Sequence, residues 1–115
     1  DETRVATGSM DWDIKLWDAA TGRELKTFKG HTNEVFSLDF HRDGKRLASA
    51  SNDKTIKIWN TGNGQELLTL KDHKDQVWSV AFSRDGNTMV SGSWDGTARI
   101  WRAASEDEVQ ARIRK

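Results

Sequence analysis

Apolar and polar residues alternate along residues 35–40, with Val35, Ser37 and Asp39 set against Phe36, Leu38 and Phe40. That two-residue period predicts a β-strand. Asp43-Gly44 follows, and glycine tolerates the positive φ that tight hairpins require. Residues 46–51, RLASAS, read as a second strand with side chains small enough for close packing. Asn52-Asp53-Lys54 turns the chain into a third strand, residues 55–60, TIKIWN, rich in β-branched residues. Gly62 and Gly64 mark another turn before a fourth strand, residues 66–70, ELLTL. Lys71-Asp72-His73 then leads into the same cycle again. Proline is absent, so no strand loses a ladder hydrogen bond to it. The pattern is that of a four-stranded antiparallel meander joined by three hairpins.

The meander recurs. Trp17, Trp59 and Trp101 are spaced 42 residues apart, and the same shift superposes Asp11, Asp53 and Asp95 without a gap. It also superposes Ser9, Ser51 and Ser93, brings His31 onto His73, and brings Gly22 onto Gly64. Phe40 meets Phe82, and Asp43-Gly44 meets Asp85-Gly86. A sheet of about 40 residues with apolar positions on both faces, such as Ala48 and Ala50 beside Leu47, buries neither face alone. Copies must therefore stack face to face, radially.

Composition changes the picture little. With 35% hydrophobic and 31% charged residues the average leans toward a solvated chain, but six tryptophans at fixed intervals argue against disorder. Lysine plus arginine balance aspartate plus glutamate at 18 each, which disfavours a nucleic-acid partner. No cysteine is present, so disulfides and thiolate metal sites are excluded. No apolar run approaches a membrane span and the first residues lack a secretion-signal pattern, from which a cytoplasmic location is expected.

Gly30-His31 before a strand, His73 at the same place after Asp72, and strands ending in Trp17-Asp18, Trp59-Asn60 and Trp101-Arg102 resemble the WD-repeat (WD40) β-propeller family. LASASNDKTIKIWN and MVSGSWDGTARIWR follow the family pattern too, and the likeness covers residues 4–102. Asp72 in place of glycine is a departure, as is the loss of aspartate after the second and third tryptophans. The resemblance implies an all-β fold of propeller blades, in an incomplete ring of about three. Residues 1–30 would form a first blade lacking its innermost strand, 31–72 a complete second blade, and 73–115 a third with an irregular C-terminal segment. Within that last unit, residues 108–113 read either as a fourth strand or as a short helix.

The resemblance further implies hydrogen-bonded structural tetrads: His31, Ser49, Asp53 and Trp59, then His73, Ser91, Asp95 and Trp101, with Thr7, Asp11 and Trp17 as a partial set. A buried carboxylate needs such donors, and Asp53→Ala would strand them at a cost of about 1–3 kcal/mol. Serine, histidine and aspartate together also suit nucleophilic catalysis. Recurrence at one spacing favours a structural role, and no nucleophile elbow, phosphate loop or metal-spaced cluster accompanies them. No enzyme activity, cofactor or metal is expected. His41, in FHRDG, reads as an exposed turn residue, Trp12 as a turn residue, and Arg42, Lys45, Arg46 and Arg84 as solvated surface charges.

Family likeness places partner contacts at the entry to the innermost strand and just before the turn aspartate. Here those positions are Met10, Glu34, Phe36, Asn52, Gln76, Trp78 and Trp94. Packing between blades is the competing account of Phe36 and Trp78. The expected function is a protein-interaction scaffold for a protein or peptide partner. Three blades cannot close a ring, so the chain is expected first to be part of a longer protein, or else to assemble with copies of itself or to stay an open stack with exposed edges.

Overall fold

The structure, a computed structural model, describes residues 3–102. Ten strands account for the regular structure: β1 (Arg4–Gly8), β2 (Ile14–Asp18), β3 (Glu24–Phe28), β4 (Val35–Phe40), β5 (Arg46–Ser51), β6 (Ile56–Asn60), β7 (Glu66–Leu70), β8 (Val77–Phe82), β9 (Thr88–Ser93) and β10 (Ala98–Arg102). They form three antiparallel meanders, β1-β2-β3, β4-β5-β6-β7 and β8-β9-β10, each ordered as in the chain. The fold is all-β, and no helix occurs among the described residues. The segment 108–113 lies outside them.

Period-two alternation sends each sheet's side chains to two neighbours. Phe40, Leu47 and Trp59 stand in register on one face of the middle sheet. With Val35 and Leu38 they pack on Ala6, Ile14, Leu16 and Phe28 of the first sheet. Ala48, Ala50, Ile56, Ile58 and Leu70 emerge from the opposite face and meet Val77, Val80, Phe82, Met89 and Trp101 of the third sheet. The core is thus two inter-sheet layers, and each large buried side chain contributes about 1.5–3 kcal/mol. The outer faces of the two end sheets have no neighbour among the described residues, which leaves Val5, Val90 and Ile100 exposed.

Register shifts recur where sequence periodicity is silent. Val35 pairs with Ser51 but Ser37 pairs with Ala50, so Phe36 is an extra, unpaired residue. Trp78 holds the same place between Val77 and Ser79. Such bulges bend a strand and re-aim the side chain. The turn before each third strand demands a left-handed residue: Gly96 supplies it at φ 85°, whereas Trp12 and Lys54 adopt φ 73° and 75° at the matching positions. A non-glycine residue there carries strain.

His41 is not an exposed turn residue. It is 7% exposed, because Phe82 and Gly86 of the third sheet close over it. Its Nε2 lies 2.9 Å from the Gly86 carbonyl, and its Nδ1 lies 3.1 Å from the Asp43 backbone nitrogen and 3.0 Å from Asp43 Oδ1. A Cβ on Gly86 would meet His41 Nε2 at 2.3 Å, and φ there is +76°, so glycine is required twice over. Arg42, Lys45 and Arg84 are exposed. Arg46 departs from the expectation: it is half-buried beside His41 and donates from Nη2 to Asp43 Oδ2 at 3.3 Å.

Candidate functional site

Two polar relays run through the sheets. In the first, the Trp59 Nε1–H donates to Ser49 Oγ at 2.8 Å, and Ser49 Oγ–H donates to His31 Nε2 at 2.6 Å. The opposite ring nitrogen, Nδ1–H, donates to Asp53 Oδ2 at 2.7 Å. Each group has the partner its chemistry requires once the imidazole is neutral with its proton on Nδ1. Asp53 also accepts from the Thr32 N–H at 3.1 Å, from the Thr55 N–H at 2.9 Å and from the Thr55 hydroxyl. Burial by itself would raise the Asp53 pKa. The hydrogen bonds from His31, Thr55 and Thr32 overrule it and hold the carboxyl well below the usual range.

The second relay repeats the first. Trp101 Nε1–H donates to Ser91 Oγ at 2.9 Å, Ser91 to His73 Nε2 at 2.7 Å, and His73 Nδ1–H to Asp95 Oδ2 at 2.9 Å. Asp95 is likewise held low, first by the Thr97 hydroxyl, against desolvation, and then by His73 and the Lys74 and Thr97 N–H groups. Thr55 and Thr97 went unremarked in the sequence, although the 42-residue shift that paired the aspartates also pairs them. In the first sheet only Trp17 and Thr7 meet, with Nε1–H to Oγ1 at 2.8 Å. Asp11 stands apart and accepts from the Asp13 N–H in its own turn.

The serine, histidine and aspartate of each relay are linked in the order a hydrolase would use. Geometry nonetheless works against attack: Ser49 and Ser91 are fully buried, and each hydroxyl already accepts an indole N–H. A substrate carbonyl has no route to either oxygen. Among the described residues no group of three histidine, aspartate or glutamate side chains could hold a metal ion, and no helix is long and apolar enough to cross a membrane.

The second group of candidates gathers at one end of the sheets. The Asn52 N–H donates to the Glu34 carbonyl at 2.9 Å, and the Trp94 N–H to the Gln76 carbonyl at 3.0 Å, so each turn is latched to the entry of the innermost strand. Ser51 and Ser93 reinforce the latches with hydroxyl bonds to the same two carbonyls. Met10 and Glu34 line a cleft with Gly8, Ser9 and Val35. On this rim Met10 is 95% exposed, Trp94 70% and Trp78 52%; Phe36 and Glu34 are exposed, and Asn52 and Gln76 half-buried. Trp78 lies over Gly92, where a Cβ would meet its ring at 3.2 Å. Trp12, in the left-handed turn, is also exposed.

Comparison with known proteins agrees with this architecture. A 41-residue stretch is 56% identical to the "Lissencephaly-1 homolog" of Heterostelium pallidum and covers 36% of this chain and 10% of that protein. Over the same length the chain is 54% identical to "Nuclear distribution protein PAC1" of Cryptococcus neoformans var. neoformans serotype D, with 36% and 10% covered. It is 51% identical over 35 residues to "Dynein assembly factor with WD repeat domains 1" of Macaca fascicularis, covering 30% and 8%. The matched stretch thus spans about a tenth of these relatives' length. The family model for the WD domain, G-beta repeat, matches residues 1–18, 22–60 and 64–102. Those matches cover most of the sequence, each full one beginning just before the last strand of one meander and ending on the third strand of the next, and the chain belongs to the WD-repeat family.

Proposed function

We propose that this chain is a rigid interaction scaffold that presents its turn rim to a protein or peptide partner and performs no catalysis of its own. The observation that carries this reading is the exposure of Met10, Trp78 and Trp94 on turns and strand entries tied down by backbone hydrogen bonds. Large side chains on an ordered frame bind with little loss of conformational freedom, and tryptophan is a frequent hot-spot anchor. Relatives named for nuclear distribution and dynein assembly support a role in organising a larger complex. A cytoplasmic setting belongs to the same proposal. Peptides selected against the wild-type chain from a random display library should bind Trp94→Ala and Trp78→Ala about tenfold or more weakly, with folding unchanged. Equal binding to both variants sinks the assignment of the rim.

A second reading, self-association through the end sheets, rests on Ile100, 75% exposed on a face whose counterpart in the middle sheet is covered. Light scattering at high concentration separates the two, since a monomer contradicts it.

A further inference from the structure

Arginine is unevenly placed. Among the described residues, Arg4, Arg23, Arg42, Arg46, Arg84 and Arg102 stand at the end of the sheets opposite the turn rim, and only Arg99 lies mid-strand. The meanders put them there. β4 and β8 run from the rim to Phe40 and Phe82, and the turns that follow carry Arg42 and Arg84. The rim holds lysines instead, Lys29, Lys54, Lys71 and Lys74, beside the carboxylates of Asp11, Asp13, Glu34 and Asp75. Met10, Phe36, Trp78 and Trp94 are exposed at the rim, whereas the turns 41–45 and 83–87 expose no large apolar side chain.

The aspartates at the arginine end are spent on their own turns. Asp18 accepts from the Ala20 and Thr21 N–H groups at 2.8 and 3.1 Å, and Asp43 from the Lys45 N–H at 2.8 Å. Asp85 accepts from the Ser83 hydroxyl at 2.6 Å and the Asn87 N–H at 2.9 Å. Glu24 and Glu66, which open β3 and β7 at this end, pair with Lys15 and Lys57. Arg42, Lys45 and Arg84 are exposed, and none of their side chains has an ion-pair partner among the described residues.

Packing between blades gathers these three. His41 Nε2 lies 2.9 Å from the Gly86 carbonyl, which holds the turn after β4 against the turn after β8. Arg42 Cγ lies 3.3 Å from where a Cβ on Gly86 would stand, and Gly86 is two residues from Arg84. The two arginines also occupy the same place in successive repeats, 42 positions apart. The result is a cationic shelf on two turns locked together.

We propose that Arg42, Lys45 and Arg84 form a second docking surface, opposite the rim, for an acidic peptide segment of a partner protein. Guanidinium forks match carboxylates in pairs, and an anion seated between the like charges relieves their repulsion. Anchored turns also keep the entropy cost of binding small. Other anionic partners fit less well. A single-stranded nucleic acid is held by aromatic side chains on which bases stack, and a membrane surface by apolar side chains beside the cations; these turns expose neither. With 18 basic and 18 acidic residues in the chain the positive charge is local, suited to a short segment rather than a polyanion. The shelf does not depend on the assignment of the rim.

Titrating the full chain with a short fluorescein-labelled peptide of alternating glutamate and serine tests the proposal. Binding is expected at about 50 mM salt and should weaken as salt is raised to about 200 mM. Arg42→Gln combined with Arg84→Gln should weaken it about tenfold or more at an unchanged melting temperature. Lys29→Gln combined with Lys74→Gln should bind as wild type does, and so should Trp94→Ala. Absence of binding to the wild-type chain, or an equal loss in the lysine variant, overturns the proposal. A loss in Trp94→Ala puts the peptide on the rim and overturns it too, whereas failure of the rim assignment leaves this titration unchanged. Tighter capture of oligouridylate or of phosphatidylserine vesicles by the same arginines overturns the partner class. Amide shifts in the wild-type chain decide the matter even if the arginine variant folds poorly: the peptide should perturb residues 42–46 and 83–88. Shifts confined to residues 9–12 and 94–97 overturn the shelf.

Discussion

Trp59 and Trp101 donate to their serines at 2.8 and 2.9 Å, within relays that match atom for atom, yet their surroundings differ. Trp59 is 1% exposed, and Trp101 is only half-buried. One difference lies in the tryptophan's own sheet, where β6 is flanked by β7 while β10 has no outer neighbour among the described residues, and another in the preceding blade. Trp59 packs on Phe28 with ring centroids 5.7 Å apart, and on Gly30, where a Cβ would come within 2.9 Å of the indole. At the next joint Leu70 replaces Phe28 and Asp72 replaces Gly30. The smaller leucine and the added carboxylate cannot close over the ring in the same way. Trp101 therefore borders an open cleft with Ile58, Leu70, Phe82 and Met89, and its ring stands 6.5 Å from His73 against 6.0 Å for Trp59 and His31. A hydrogen-bond relay within one blade and the apolar seat of its tryptophan are thus set separately. The first depends on that blade's own residues, the second also on its neighbour's last strand.

The largest effect should come from the tryptophans themselves. Trp59→Ala is expected to cost about 3–5 kcal/mol, as for other fully buried tryptophans, and Trp101→Ala about half as much. Equal losses in chemical denaturation would break the comparison. Next in size is Asp53. Its carboxyl titrates in the folded chain below the unfolded value of about 3.9, so its stabilisation is complete above that value and is lost as pH falls toward the folded-state one. Acid unfolding of Asp53→Asn should begin from a lower stability and show a shallower slope below about pH 4. A slope identical to wild type would remove the carboxylate from the account. The smallest effect is a repair: Leu70→Phe should stabilise the chain by about 1 kcal/mol by filling the cleft beside Trp101. A lower melting temperature would show that the cleft is too tight for the added ring, as overpacking does.

Much of this was legible before the fold was known. The period of 42 residues located three sheets and aligned the members of both relays, because a repeated backbone puts matched residues in matched places. Other features left no such mark. His41 has Ser83 at its shifted position, so the repeat offered no hint of its burial. The Phe36 and Trp78 bulges are register events that alternation does not encode. Asp11 aligned with Asp53 and Asp95, yet it takes no part in a relay; in the first sheet only Thr7 and Trp17 are joined.

By itself the sequence determined the strands, their turns and the order of strands within each meander, though not their exact register, since these depend on contacts between residues near one another in the chain. The tertiary structure alone decided which side chains disappear between sheets: Trp59 wholly, Trp101 in part, and His41 under Gly86. The reason is physical. Hydrogen-bond partners within a blade are chosen by local spacing, but burial is created by whatever surface the next blade lays on top.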